Sequence, residues 1–251
     1  MRHNKTKAKI KAGQPVFGGF VNMDSPWLVE IMGRMGFDFV LLDAEHGGLS
    51  PETVAGLIRA ADAADITPIV KVPSKDPNVM YSYLDRGALG IQVPHTVSKA
   101  DLELIVRTCK FKPVGMRGFR IARPVDMDTN LIQWAQDYNR ELMLMGQIED
   151  VEAVENLDEM LTVDEIDGFF VGPGDMSQSL GYPGDYWNPE VKKVCDAAIK
   201  KIRAVGKAPG YDCFEWNIQE YLGLGLLYCV AVPTQWLEHG GRYFLKKAKG
   251  G

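Results

Sequence analysis

Long apolar runs are missing from this chain: no stretch approaches the length needed to span a bilayer as a helix. Cysteine is scarce. The four that occur, Cys109, Cys195, Cys213 and Cys229, lie far apart and form no CxxC pair, which excludes a zinc frame or a disulfide lattice. They read as reduced thiols of a cytosolic protein. Glycine is not scarce, yet neither a GxGxxG nor a Walker pattern occurs, so no standard nucleotide cradle is present. Positive charge is not in excess either. The formal net charge is −5, which disfavours nucleic acid as a partner. The opening MRHNKTKAKIKAG is basic but has no apolar segment behind it, so it is not read as a secretory signal. The expectation is a cytoplasmic protein with no membrane partner, whose first 13 residues form a flexible arm.

What the chain has instead is alternation. Short apolar runs recur at VFGGFV (16–21), FDFVLLD (37–43), PIVKV (68–72), LGIQVP (89–94), LMLMGQ (142–147), DGFFVG (167–172), KAPGY (207–211) and LLYCVAV (226–232). Helical patterns separate them, among them 26–35, 51–64, 79–86, 99–109, 189–205 and 214–222. Ser25-Pro26 and Ser50-Pro51 place a capping hydroxyl before a proline that suits the first turn. Strand–helix alternation predicts a parallel sheet with crossovers, and eight repeats within 251 residues predict closure into a (β/α)8 TIM barrel of one domain, 1–251. KAPGY is the weakest of the eight, short and rich in Pro and Gly. No linker or low-complexity tract divides the chain. The region 110–130 reads as a long connection carrying GMRGFRIAR, whose Arg117, Arg120 and Arg123 either pair with an anionic substrate tail or form a solvated basic loop.

In such a barrel the chemistry sits where the strands end. The densest stretch is 141–177, a strand–helix–strand unit whose two strands end in Gln147 and Glu149 and in Gly172-Pro173-Gly174-Asp175. Parallel neighbours open at one edge, which brings Glu149 and Asp175 to the same rim. Two carboxylates there repel unless they share a proton or a cation. Oxygen ligands with open positions suit Mg2+ or Mn2+, with Co2+ also admissible. The alternative is that Asp175 caps the following helix and Glu149 is merely solvated. Asp43 and His46 after the second strand predict an Asp–His dyad, the carboxylate fixing the ring tautomer for general-base work. Lys71 ends the third strand. His95, with no acidic neighbour close in sequence, reads as an ordinary loop histidine. Gly172 and Gly174 allow backbone amides to approach a carboxylate or phosphate.

FDFVLLDAEHG, PIVKVP, GALGIQVP, KPVGMRG, QIED and DGFFVGPGDMSQSLG, in this order, resemble the HpcH/HpaI aldolase family, class II pyruvate aldolases acting on 2-keto-3-deoxy or 4-hydroxy-2-oxo acids. The resemblance runs from about residue 18 to about residue 210. It implies a barrel whose last helix is exchanged between subunits, in a homohexamer built as a trimer of dimers. It also implies a divalent metal on Glu149 and Asp175, a base unit of His46 with Asp43, and a pyruvyl group held by Gln147 and by the backbone at Gly174 and Asp175. The family has arginine at the end of the third strand, contacting the keto oxygen; here the residue is Lys71. YDCFEWNIQEYLGLG and AVPTQWLEHGG depart from the family pattern, which leaves the contacts to the substrate tail unassigned. The segment 236–247, apolar on one side and basic on the other, is the part expected to pack on a neighbouring subunit. Three readings follow: a metal-dependent aldolase on a small 2-oxo acid, a class I aldolase with Lys71 as Schiff-base lysine, or a barrel that only binds 2-oxo acids.

Overall fold

Each of the eight apolar runs forms a strand: β1 (Val16–Val21), β2 (Phe39–Asp43), β3 (Thr67–Lys71), β4 (Gly90–Val93), β5 (Met143–Ile148), β6 (Gly168–Val171), β7 (Ala208–Asp212) and β8 (Tyr228–Ala231). In the computed structural model, which describes residues 2–119, 123 and 128–250, they pair in chain order, all parallel, and β8 closes on β1. The helices are α1 (Lys5–Lys11), α2 (Pro26–Met35), α3 (Pro51–Ala63), α4 (Pro77–Leu84), α5 (Lys99–Cys109), α6 (Leu131–Glu141), α7 (Val151–Glu155), α8 (Leu157–Met160), α9 (Pro173–Ser179), α10 (Pro189–Ala204), α11 (Ile218–Gly223) and α12 (Pro233–Ala248). The fold is the expected (β/α)8 barrel. The caps predicted at Ser25 and Ser50 form, each hydroxyl accepting the amide three residues on, from Leu28 and Thr53. Among the described residues no helix is long and apolar enough to cross a membrane.

Alternate strand residues divide the core in two. One set, including Val40, Leu42, Val70, Ile91, Leu144, Phe169 and Tyr211, packs against the helices. The other, Val16, Phe39, Leu41, Ile69, Met143, Met145, Phe170, Ala208, Tyr228 and Val230, fills the barrel. The Phe39 and Tyr228 rings stack there at 4.3 Å. They meet across β1, whose Gly18 makes the space: a Cβ at Gly18 would lie 2.3 Å from the Phe39 ring. Because side chains alternate, the inward set continues upward through Asp43, Lys71, Gln92, Gln147 and Asp212 at the carboxyl ends.

The N-terminal residues are not a free arm. They form α1, which lies across the amino ends of the strands. The Asn4 side chain accepts from the Lys7 amide and donates to the carbonyls of Leu89 and Glu141, both at 3.0 Å. The Thr6 hydroxyl meets the Asp38 carbonyl at 3.0 Å and the Thr67 hydroxyl at 2.8 Å. Lys7 is buried, donating to the Leu142 carbonyl at 2.6 Å and pairing with Asp167 at 3.0 Å. Ile10 joins the interior cluster. This polar helix adds donors to carbonyls at the strand starts, two of which, Asp38 and Leu89, also accept the amides of Thr67 and Met143.

Two of the three arginines considered for the substrate tail have other work. Arg117 is buried, its guanidinium over the rings of Tyr138 (4.6 Å) and Phe111 (5.0 Å) and 2.6 Å from Asp85. Arg123 pairs with Asp62 at 2.6 Å. Arg120 lies outside the described residues. At the far end, α12 buries only Pro233, while Leu237, Tyr243, Phe244 and Leu245 are exposed.

Candidate active site at the carboxyl rim

The rim is built from the neighbouring ends of β2 to β7. At the end of β2, Asp43 is fully buried. Its Oδ1 accepts the backbone amides of Glu45 and His46, both at 3.1 Å, and so turns the chain. Its Oδ2 is buried and has no hydrogen-bond partner among the described residues. The expected contact between Asp43 and the His46 ring is not made. An aspartate two and three residues before an amide pair is well placed to bond that pair, and doing so sends the ring outward. The His46 side chain is 63% exposed, with Nε2 3.3 Å from Glu45 Oε2. The same oxygen of Glu45 lies 2.5 Å from the Lys71 ammonium. Lys71 stands beside Asp43 in the β2–β3 register and is 5% exposed. Glu45 therefore joins cation and imidazole, and takes the place beside the ring that the spacing assigned to Asp43.

Across β4, β5 and β6 a second set is fixed by cross-strand bonds. Gln92 Nε2 donates to Gln147 Oε1 at 2.6 Å, which leaves the Gln147 amide nitrogen to donate to Glu149 Oε2. The Thr96 hydroxyl bridges the Gln147 carbonyl (2.8 Å) and amide (3.0 Å). Glu149 is 1% exposed, and its Oε1 accepts the His95 amide at 2.7 Å. Burial pushes the Glu149 carboxyl above its ordinary value, although the His95 amide, Gln147 and the nearby positive charge of Lys71 all favour the anion. The β5–β6 register sets Gly172 beside Glu149; a Cβ there would lie 3.1 Å from Oε2, so glycine lets this turn close over the carboxylate.

His95, read from sequence as an ordinary loop residue, belongs to this set. Its backbone is left-handed, with φ of 48°, a conformation that costs a non-glycine residue roughly 1–3 kcal/mol. The bend brings Nδ1 to 3.1 Å from Asp150 Oδ2 and 3.5 Å from Glu149 Oε1. Partial burial opposes protonation of the ring, but the Asp150 bond and the charges of Glu149 and Asp150 outweigh it and leave the pKa raised. Among the described residues His95, Glu149 and Asp150 are the three potential metal ligands whose donor atoms converge, within 4.8 Å of one another. Asp175 is not one of them. It is exposed in the first turn of α9, and no hydrogen bond or ion pair reaches its carboxylate among the described residues. Gly174 beside it has room for a Cβ, the nearest atom being 3.7 Å away on Tyr186, so close packing does not dictate glycine there.

One further acid stands at this level. Asp212 ends β7 with the inward parity of Ala208 and Gly210. Burial pushes its carboxyl up to about 6, only partly opposed by the Lys71 charge. The rim thus carries Asp43, Glu45, Glu149, Asp150 and Asp212 around the Lys71 cation. Such a surplus of oxygen anions, Asp43 and Glu149 buried and the others half-buried, is the donor chemistry that a hard divalent cation neutralises, so the residues fit one. A carboxylate at Glu149, an amide donor at Gln147 and an ammonium at Lys71 also present complementary groups to a small oxo acid.

A family model described as HpcH/HpaI aldolase/citrate lyase matches residues 17–220. The chain is 34% identical to a 4-hydroxy-2-oxo-heptane-1,7-dioate aldolase of Shigella flexneri, covering 92% of this chain and 88% of that one. Its fold matches a HpcH/HpaI aldolase/citrate lyase family protein of Burkholderia cenocepacia J2315 with a TM-score of 0.91 at 25% identity, covering 98% and 100% of the two chains. A HpcH/HpaI aldolase of Desulfitobacterium hafniense DCB-2 matches with a TM-score of 0.88 at 27% identity, covering 98% and 96%.

Proposed function

We propose that this chain, which belongs to the HpcH/HpaI aldolase/citrate lyase family, is a metal-dependent aldolase that cleaves a 4-hydroxy-2-oxo acid to pyruvate and an aldehyde at the rim where Glu149, Gln147 and Lys71 meet. The observation that carries this is Glu149, a buried carboxylate held by two hydrogen bonds among further acids. An anion so enclosed calls for a cation.

Glu149 and, from the first turn of α9, Asp175 would hold the ion, Mg2+ or Mn2+; His95 and Asp150 flank Glu149 and are the competing ligand pair. When bound, a divalent ion supplies Lewis-acid stabilisation for the negative charge that develops on the 2-oxo oxygen. Gln147, locked by Gln92 and Thr96, donates to the pyruvyl end. Lys71 sets a positive charge beside the same oxygen. His46, oriented through Glu45, accepts the proton of the 4-hydroxyl. The C3–C4 bond then breaks. Its electron pair passes into the three-carbon fragment, which takes up a proton at C3 to become pyruvate, and the oxygen at C4 becomes the aldehyde carbonyl. The ion pair of Lys71 with Glu45 suits a cation and not a free amine nucleophile, which favours this course over a Schiff base.

The bare apolar side of α12, with Leu237, Phe244 and Leu245 exposed, supports assembly into a homo-oligomer in which this helix packs on a neighbour, as a hexamer. The test of the function is a retro-aldol screen of 4-hydroxy-2-oxo acids and 2-keto-3-deoxy sugar acids with pyruvate detection, with and without chelator. Mn2+ titrations of wild type, Glu149→Ala, Asp175→Ala and His95→Ala accompany it. Pyruvate release that chelator abolishes supports the reading, and turnover indifferent to chelator and to Glu149→Ala refutes it. If His95→Ala weakens Mn2+ binding while Asp175→Ala does not, the ligand pair is the competing one.

A further inference from the structure

We propose that Asp212 reads the distal half of the substrate, accepting a hydroxyl of a neutral, hydroxylated aldehyde and excluding an aldehyde that ends in a carboxylate. The inference rests on the aldolase reading and concerns which aldehyde that reaction takes.

The ring of strands leaves one sector for the tail. Groups assigned to the pyruvyl end and to the ion lie on β5 and after β6. Those assigned to the 4-hydroxyl lie after β2, with Lys71 on β3 between them. Once C1 to C4 span from β5 and β6 toward β2 and β3, the chain beyond C4 has β7, β8 and β1 in front of it. Inward positions near the ends of those strands are Phe20 on β1, Val230 on β8 and Asp212 on β7. Two are apolar, so among these inward strand-end positions Asp212 is the charged one.

Its carboxylate is also uncommitted. Asp212 pairs with Val230 through the sheet, and its carbonyl accepts from Asn217 at 3.4 Å, but no hydrogen bond or ion pair reaches its side-chain oxygens among the described residues. Lys71 attracts it only at a distance, because that ammonium is engaged by Glu45 at 2.5 Å. A half-buried anion without a protein donor is costly to keep, and its raised pKa is in keeping with that cost. A hydroxylated tail supplies the missing donor. A tail carboxylate in the same sector meets a like charge at low effective dielectric, which opposes binding by about 10- to 100-fold.

The experiment is aldol addition run with pyruvate and Mn2+ on three aldehydes: glyceraldehyde, 4-oxobutanoate and propanal. Values of kcat/KM are expressed relative to propanal on the same preparation, for wild type, Asp212→Asn and Asp212→Leu. Wild type is expected to favour glyceraldehyde over 4-oxobutanoate by at least tenfold. Asp212→Asn should raise relative 4-oxobutanoate activity at least tenfold, and Asp212→Leu should also lower relative glyceraldehyde activity. A wild type that prefers 4-oxobutanoate, or a preference that both variants leave unchanged while propanal still reacts, overturns the proposal and leaves the aldolase reading standing. No product from any of the three aldehydes overturns both.

Discussion

Replacing Asp212 with asparagine should make the protein more stable, by an amount that grows from about pH 4 and is complete above about pH 6. The shape is nearly the same, so the change isolates the charge. Folding raises the carboxyl of Asp212 from 3.8 to about 6 through burial. The folded state therefore binds the proton more tightly than the unfolded one. As pH rises from about 4 to about 6, the unfolded chain ionises first and stability falls; above about 6 the whole cost is present. A difference near two pKa units corresponds to about 3 kcal/mol. Because the residue sits half-buried at an open rim, water relieves part of this, and about 1–3 kcal/mol is the range to expect. For a chain of this length that is a rise in Tm of roughly 2–12 °C. The assay is urea or thermal unfolding of both proteins with chelator present, at one fixed protomer concentration, at pH 7.5 and at pH 4.5. The gain should be present at the higher pH and should shrink at the lower. An Asp212→Asn protein no more stable than wild type at pH 7.5, or a gain of equal size at both pH values, would refute the reasoning.

Four other perturbations test separate parts of the structure. His46→Ala should lower kcat by about 10²- to 10⁴-fold while pyruvate binding, followed by calorimetry, changes little; near-normal turnover removes His46 from the proton transfer. Lys71→Arg should keep or raise activity, since the cation beside Glu45 is retained, and a pyruvyl adduct on Lys71 after borohydride, read by mass spectrometry, would contradict the metal reading. Gly18→Ala should cost about 1–3 kcal/mol in denaturant unfolding, because the added carbon meets the Phe39 ring at 2.3 Å. Deleting residues 1–13 should cost about 4 kcal/mol, from the buried Ile10 side chain and the bonds of Asn4, Thr6 and Lys7; a truncated protein as stable as the full chain would mean that α1 merely rests on the barrel.

The strands were legible because a parallel sheet covered on both faces writes itself as unbroken apolar runs. Even KAPGY holds its place, since its inward positions, Ala208 and Gly210, must be small where the Tyr228 and Phe170 rings fill the barrel. By contrast α1 was illegible. Its contacts are polar groups answering carbonyls of distant strands, and nothing in its seven residues shows that such carbonyls await it. The same limit governs the site. Gln147 and Glu149 announce themselves at a strand end, whereas Gln92, Thr96 and His95 matter only through the β4–β5 register that lays them against that strand. Asp43 and His46 are three apart, and that spacing permitted either a bond to the ring or a bond to the amides; the turn took the amides. Arg117 and Arg123 had partners, Asp85 and Asp62, that no local pattern couples to them.

With α1 laid across the amino ends of the strands, the barrel is a vessel with a single mouth. Its depth is graded, from Glu149 and Gln147 at almost no exposure to His46 standing largely in solvent. Under the proposed course, the three-carbon fragment lies at the bottom of that gradient and the aldehyde lies between it and the way out. The two products therefore leave in a queue. On that course the aldehyde would go first and pyruvate would follow it. Pyruvate left behind would occupy the place that the next substrate needs and compete with it, while added aldehyde would meet an enzyme already holding pyruvate and drive the reaction backward.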